Sequence, residues 1–283
     1  MNILVTGSRG YIGKNLCKYL IDRGHNVSQI DRNIEVDVDN LGNDNWNPNE
    51  IQQHNFKDKY NHIEGIVHLA ARAGIQDCQD YPMTAIEDNI QASNIIIDLA
   101  KELKVPMVFA SSQAAVHPQS SVYAVTKAVT EQEMNRRILW KSKILRFANV
   151  YGGIGMLEDK TTVIANFMRA YLEDEPLIVH GDGSQTRDFI HVNDICQAIL
   201  LALKFTFGSR TYDVGTGVET SVLTIAQQFG SEISYESSRS VGVKSNVANI
   251  EQIQKDTGFK PTVKVGDFID DFIYSRLDIS ETS

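Results

Sequence analysis

Tyr123 and Lys127 are the residues of this chain best placed to move a proton. They stand four positions apart in Tyr123-Ala124-Val125-Thr126-Lys127, so on a helix they share a face. A free phenol titrates near pH ~10, too high to act as a base at neutrality. An ammonium beside it, and a cationic ring close by, would both favour the phenolate. Lowering the phenol by about three units takes ~4 kcal/mol of differential stabilisation. The spacing alone is common on helix surfaces, so its weight depends on its neighbours. Ser111-Ser112 follow the apolar run Val108-Phe109-Ala110 directly. A hydroxyl at the carboxyl end of a strand can hold a reacting alcohol, or it can simply cap a turn.

A phenol of this kind needs a redox partner, and the N-terminus offers a seat for one. Ile3 to Thr6 runs into Gly7-Ser8-Arg9-Gly10-Tyr11-Ile12-Gly13. Glycines after a strand and at the opening of a helix suit a dinucleotide diphosphate. Gly7 would make the tight turn, Gly10 would let the backbone approach the ligand, and Gly13 would let helix and strand pack closely. The first helical amides, of Tyr11, Ile12 and Gly13, would face the anion. The alternative is a glycine-rich turn with no ligand. Asp31 closes the next strand, where a carboxylate can accept from both adenosine ribose hydroxyls. It would repel a 2′-phosphate, which favours NAD over NADP. Arg32 beside it could accommodate that phosphate, and Asp31 could be a mere turn residue.

The elements that position these groups alternate. Strands are expected at 3–6, 27–30, 66–69, 108–110 and 143–146, with helices at 11–22, 84–103 and 121–138. Asn40 to Asn55, rich in Asn and Asp with Pro48, reads as a surface loop with a short helix. Alternating strands and helices argue for a doubly wound parallel sheet. Beyond Tyr151-Gly152-Gly153 the pattern loosens. A helix is expected at 163–174, a strand at 177–180 and a helix at 195–203, and the order after Val218 is not readable. The domain reading is 1–150 with 191–217 returning to it, and a smaller lobe from 151–190 and 218–283.

Bulk composition narrows the partners. The formal charge is −9, which disfavours nucleic acid. Cys17, Cys78 and Cys196 form no CxxC pair, as expected of inert thiols in a reducing compartment. No signal peptide or membrane-spanning run is readable, so the expected location is the cytoplasm with no membrane partner. No metal cluster is expected among the seven histidines, and His68 reads as a packed residue rather than a ligand.

With these residues assembled, the chain resembles the extended short-chain dehydrogenase/reductases, in particular the NAD-dependent nucleotide-sugar epimerases and dehydratases of the UDP-glucose 4-epimerase type. The resemblance rests on Val5 to Gly13, Asp31, His68-Leu69-Ala70-Ala71, Tyr81-Pro82, Asn89, Ser111-Ser112 and Tyr123 to Lys127. It continues through Leu145 to Gly152, Gly181 to Asp194 and Tyr212 to Gly217. It implies a Rossmann-like α/β fold with a smaller C-terminal α/β substrate lobe. It implies NAD as cofactor, a nucleotide sugar (a UDP-sugar) as substrate, and a homodimer through the helices near 84–103 and 121–138.

The resemblance also implies roles. Tyr123 is the base, Lys127 holds the nicotinamide ribose and tunes Tyr123, and Ser112 relays the proton. Asp37 and Val38 flank the adenine. Leu69, Ala70 and Ala71 run past the cofactor, with Asn89 near it. Asn149 grips the substrate diphosphate or nucleotide, Arg187 the diphosphate with Arg239 as a second cation, and Arg72 is a candidate partner for a sugar carboxylate. The mechanism implied is transient oxidation to a 4-keto sugar followed by return of hydride to the opposite face. The chain departs from the family between the serines and the tyrosine. There Gln113-Ala114-Ala115-Val116-His117-Pro118 replaces the usual Val-Tyr-Gly and a longer loop. Sugar identity is therefore open, as is full activity, and His117 is a candidate replacement acid. The lack of an Asp-Glu pair beside the first hydroxyl favours epimerisation over dehydration. Dehydratase, keto-sugar reductase and a degenerate NAD-binding sensor or scaffold remain the alternatives.

Overall fold

A computed structural model describes residues 1–31, 43–45, 56–137, 141–159, 161–205, 207–237 and 246–281. The chain opens with β1 (Asn2–Thr6), α1 (Tyr11–Ile21), β2 (Asn26–Asp31), β3 (Asn43–Asn45), α2 (Phe56–Lys59) and β4 (Gly65–His68). Next come α3 (Ile75–Asp80), α4 (Pro82–Ile86), a π turn over Glu87–Gln91, α5 (Ala92–Leu103), β5 (Met107–Ser112), α6 (Val122–Arg137) and β6 (Ser142–Phe147). The second half holds β7 (Asn149–Tyr151), α7 (Val163–Leu172), β8 (Leu177–His180), β9 (Thr186–Arg187), β10 (Phe189–His191), α8 (Val192–Lys204) and β11 (Arg210–Val214). It ends with β12 (Thr220–Ser221), α9 (Val222–Gln228), β13 (Ile233–Glu236), α10 (Glu251–Thr257) and α11 (Val265–Glu281).

Seven parallel strands pair in the order β3-β2-β1-β4-β5-β6-β11. This is the doubly wound sheet expected from the alternation. Strand side chains alternate faces, and both faces are covered. Ile3, Val5, Val67, Leu145 and Val214 pack with Leu16 and Leu20 of α1 and Ile195 and Ile199 of α8. Leu4, Ile66, Phe109 and Ile144 pack on the other side with Ile96 and Ile97 of α5 and Met134 of α6. Two-sided burial explains why these strands read as continuous apolar runs. A third core gathers Tyr151, Phe167, Leu177, Val179, Ile225, Phe229 and Ile269. Most of its elements follow residue 150, and β13 pairs in parallel with β8. Ile253 and Phe259, however, pack into the core of the main sheet.

Two local differences from the sequence reading have physical causes. Asn43–Asn45, expected in a loop, pairs with Gln29–Asp31 and extends the sheet by one strand. The helix expected over 84–103 is interrupted by the π turn at Glu87–Gln91. The Asn89 carbonyl there accepts from the hydroxyls of Ser93 and Thr130, at 2.6 and 3.0 Å. Side chains thus compete for a backbone acceptor of the regular ladder.

Candidate active site

β1 is the point where the sheet order reverses: β2 and β3 lie on one side, β4, β5 and β6 on the other. In open α/β sheets the crevice outside the strand carboxyl ends at such a point receives ligands. The predicted residues collect along this edge. Gly7 follows β1, Asp31 ends β2, Leu69 to Arg72 follow β4, Ser112 ends β5, and Asn149 lies just past β6.

The glycine turn separates what the fold needs from what a ligand needs. Gly7 has φ +69°, and a Cβ there would sit 2.6 Å from the Ala70 nitrogen. A Cβ on Gly13 would overlap the Gly7 carbonyl. Both are therefore demanded by packing. Gly10 has an ordinary φ of −65°, and a Cβ would meet only the Gly7 oxygen, at 3.2 Å. Its bare, exposed face is space the fold itself leaves free. Gly10 is the N-cap of α1; no side chain caps the helix and its first turn holds no acid. The open amides and the positive end of the helix suit a diphosphate. The Asp31 carboxylate accepts the Arg9 amide at 2.8 Å, which pins the turn to the end of β2. The Tyr11 phenol donates to the Gly152 carbonyl at 2.6 Å, linking the turn to the segment after β7. Arg32, Asp37, Val38 and Arg239 lie outside the described residues.

Beneath the crevice a buried polar chain fixes the loop after β4. Nδ1 of His68 bonds Thr6 at 2.6 Å, and Nε2 bonds Ser93 at 2.8 Å. Burial, with Lys127 adding to it, holds this imidazole at a pKa of about 3, so it is neutral. Asn89 donates to the Arg72 carbonyl at 3.0 Å and to Thr126 at 2.9 Å, and accepts from the Arg72 amide at 2.7 Å. It therefore ties the Ala70–Arg72 loop to α6. The Arg72 guanidinium is engaged by Asp77 at 2.6 Å and Asp88 at 3.1 Å. Those carboxylates occupy the fork that a sugar carboxylate would need.

Ser111 and Ser112 point opposite ways, as successive strand residues must. Ser112 accepts the Ala114 amide at 3.2 Å, so it caps the short turn that follows. Its hydroxyl is also near enough to the Tyr123 phenol to favour the phenolate. Lys127 is buried; its ammonium donates to the Ala110 carbonyl at 2.8 Å and stands 5.8 Å from the Tyr123 ring centroid. Ser112, Tyr123 and Lys127 are thus brought together. The sequence argument expected a phenol lowered by the ammonium and the nicotinamide ring together; in the chain alone burial pushes Tyr123 up to about 12, with Ser112 pulling the other way. Burial also draws Lys127 down to about 8, opposed by the neighbouring Cys78 and Glu131. In the chain alone desolvation outweighs the local ammonium. His117 is exposed in the short segment before α6.

At the far side, β7 pairs with β10, and Asn149 stands opposite Phe189. The Asn149 amide group donates to the Asp188 carbonyl at 3.1 Å. Arg187 is partly buried and donates to the Thr186 carbonyl at 2.6 Å. Burial lowers its pKa, and no carboxylate reaches it among the described residues. A half-buried cation with no counter-charge among the described residues is suited to an anionic ligand.

Sequence reasoning missed the groups behind the site. The Glu131 carboxylate accepts from Ser111 and bidentately from Arg146. Its spacing of four from Lys127 was the available signal. Asp188, read as part of a motif, accepts from Thr216, Gly217 and Ala248 and serves as a buried loop clamp. Two depressions lie away from the glycine turn and the phenol. One of about 500 Å³ is lined by Arg146, Tyr212, Asp213, Asn249 and Lys255. The other, about 430 Å³, lies among Lys18, Arg23, Asn193, Gln197 and Thr262. Among the described residues no group of three His, Cys, Asp or Glu side chains could hold a metal ion, and no helix is long and apolar enough to cross a membrane.

The geometry agrees with known proteins. The model of the NAD dependent epimerase/dehydratase family matches residues 3–215. A putative UDP-glucose 4-epimerase from Methanocaldococcus jannaschii is 31% identical over 245 residues, 78% of each chain. A UDP-N-acetyl-alpha-D-glucosaminuronate decarboxylase from Bacillus cytotoxicus is 26% identical over 265 residues, 85% of this chain and 82% of its own. The structure of MoeE5 in complex with UDP-glucose and NAD superposes with a TM-score of 0.85 at 27% identity, covering 99% of this chain and all of the other. The chain belongs to the NAD-dependent epimerase/dehydratase family of enzymes, with the nicotinamide dinucleotide as its cofactor.

Proposed function

We propose that the chain is a nucleotide-sugar 4-epimerase acting on a UDP-hexose through a transient 4-keto sugar. The observation that carries this reading is the meeting of Ser112, Tyr123 and Lys127 at the carboxyl end of β5. The Tyr123 phenolate takes the proton of the sugar 4-hydroxyl, with Ser112 aligning that hydroxyl and relaying the proton. NAD, when bound, supplies the hydride acceptor and the cationic ring that the buried phenol lacks in the chain alone. Lys127 holds the nicotinamide ribose. Gly7, Gly10, Tyr11, Ile12, Gly13, Asp31 and the Leu69–Ala71 loop line the dinucleotide, and Asn89 fixes that loop.

Arg187 and Asn149 grip the diphosphate, so the nucleotide stays anchored while the keto sugar turns its other face. In this reading residues 1–150 with 191–217 hold the cofactor, and 151–190 with 218–283 hold the substrate. Two copies pair through α5 and α6. The occupied fork of Arg72 favours a neutral hexose over a uronic acid. Gln113 after Ser112 leaves no acid there to protonate a departing water.

The decarboxylase among the relatives motivates a second reading, oxidation at C4 followed by loss of carbon dioxide. One experiment separates the two. Purified protein with NAD is incubated with UDP-glucose, UDP-galactose, UDP-N-acetylglucosamine and UDP-glucuronate, and products are followed by proton NMR. Epimerisation gives C4 inversion with no net NADH and no carbon dioxide. Tyr123→Phe should lower turnover roughly 10²–10⁴-fold while binding NAD normally. Wild-type turnover in that variant would overturn the mechanism.

A further inference from the structure

We propose that Glu131 is a positioning residue of this site: its carboxylate locks the carboxyl end of β5 onto α6 and is the anion facing Lys127. The inference rests on the catalytic reading of Tyr123 and Lys127.

Glu131 is only 5% exposed. A buried carboxylate is costly unless paired and fully hydrogen-bonded, and here it is both. Ser111 donates to Oε1 at 2.5 Å, Arg146 Nε to Oε1 at 3.0 Å, and Arg146 Nη2 to Oε2 at 2.6 Å. Ser111 and Arg146 are register partners on β5 and β6. One side chain therefore stitches two strands to the helix that carries Tyr123. Ser112, which must meet the phenol, is the very next residue after the stitch. A slip of α6 along β5 would separate Ser112 from Tyr123 before it disturbed either residue's own backbone.

A neutral amide could keep only the Oε1 half of this stitch, since its NH2 cannot accept from Arg146 Nη2, and the charge also acts on Lys127. The groups around Lys127 show how. His68 of β4 carries no charge at neutral pH, since its pKa is about 3. Cys78 of α3 is a thiol that burial pushes upward. Tyr123, on the same helix, is protonated in the chain alone. Arg146 of β6 is cationic, with Asp213 of β11 beyond it. Asp77, Asp88 and Arg72 surround Cys78 on its far side. Among these groups Glu131, one helical turn from Lys127, is the acid that opposes the loss of the ammonium's proton. Without it, the guanidinium of Arg146 would lose its bidentate partner.

Glu131→Gln keeps the shape, removes the charge and gives up the Arg146 Nη2 bond. With lysine labelled at Cε with carbon-13, and Lys127 assigned through Lys127→Met, NMR reads its titration midpoint directly in the NAD-loaded protein. The midpoint should fall by about one pH unit in Glu131→Gln. The alkaline limb of kcat on a turned-over UDP-sugar should move to lower pH by the same amount, with KM unchanged. Ser111→Ala should lower kcat severalfold and leave the limb in place, because it loosens the stitch but spares the charge. Glu131→Asp should shift the midpoint in the same direction by less, and it carries the test if the amide variant does not fold. An unmoved Lys127 midpoint in the folded variants overturns the proposal. The NMR titration needs no sugar substrate, so failure of the epimerase reading would register separately, as absence of turnover in the wild type.

Discussion

The turn after β1 and the seam between β5 and α6 lie on the same edge of the sheet, yet they are built by opposite means. The turn uses backbone: glycines without side chains, open amides and a helix end. The seam uses side chains: hydroxyls, a phenol, an ammonium and a carboxylate tied through two strands. A backbone site tolerates almost no added atom where strands and helix touch. A side-chain site tolerates changes of size but not of charge. The first suits a ligand that stays in place, the second a reaction in which protons come and go.

The sharpest way to break this contrast lies within the turn itself. Gly13→Val drives a side chain into the Gly7 carbonyl and should abolish the folded state, or cost about 3 kcal/mol or more if the helix shifts. Gly10→Val meets far less of the protein. It should leave the unfolding temperature within a few degrees of wild type while weakening NAD at least about tenfold, a loss of ~1.4 kcal/mol. Thermal unfolding and calorimetric titration check the pair, and equal destabilisation by both would remove the distinction between fold-demanded and ligand-demanded glycine.

A charge change comes next. Arg187→Met should raise KM for a UDP-sugar about 10–100-fold through loss of ~1.5–3 kcal/mol of charge-assisted bonding, with a smaller effect on kcat. Its melting temperature should not fall, since a partly buried cation with no acid partner among the described residues is replaced by an apolar chain of similar length. Steady-state kinetics and calorimetry test both halves.

The remaining effect concerns acid. His68 is neutral in the fold with a pKa lowered to about 3, whereas the unfolded imidazole titrates near ~6.5. Its contribution to stability is intact above pH ~6.5 and is lost as the pH falls toward 3, because only the unfolded chain takes up the proton. The slope approaches ~1.4 kcal/mol per pH unit. Chemical denaturation between pH 7 and pH 4 measures it, and His68→Gln should flatten the slope.

The backbone-built region was the more legible of the two. Gly7, Gly13 and Asp31 announce a strand, a turn and a helix through local spacing, and the buried strands announce themselves as apolar runs. The Tyr123–Lys127 pair and Ser112 were legible because helix and strand periodicities put them on one edge. The partners of those residues were not. Glu131 meets Ser111 and Arg146 only after three elements pack, and nothing in their spacing fixes that β5 and β6 are neighbours. The rise of the phenol in the chain alone was not legible for the same reason. Spacing reveals a nearby ammonium, but the depth of burial that outweighs it is a property of the assembled core. The strand at Asn43–Asn45 was hidden by its composition, since asparagine and aspartate signal turns.

The π turn at Glu87–Gln91 carries a consequence for how this edge can evolve. It holds one residue more than a regular helix would, so the stretch from Pro82 to Leu103 is out of phase with itself across Asn89. Deleting a single residue there would restore an unbroken helix and rotate everything upstream by about 100°. Asn89 would swing away from Thr126 and Arg72, and the loop beside the dinucleotide would lose its anchor. A helix that looks improvable by shortening is the gauge that keeps the Ala70–Arg72 loop and the helix carrying Tyr123 at a fixed separation.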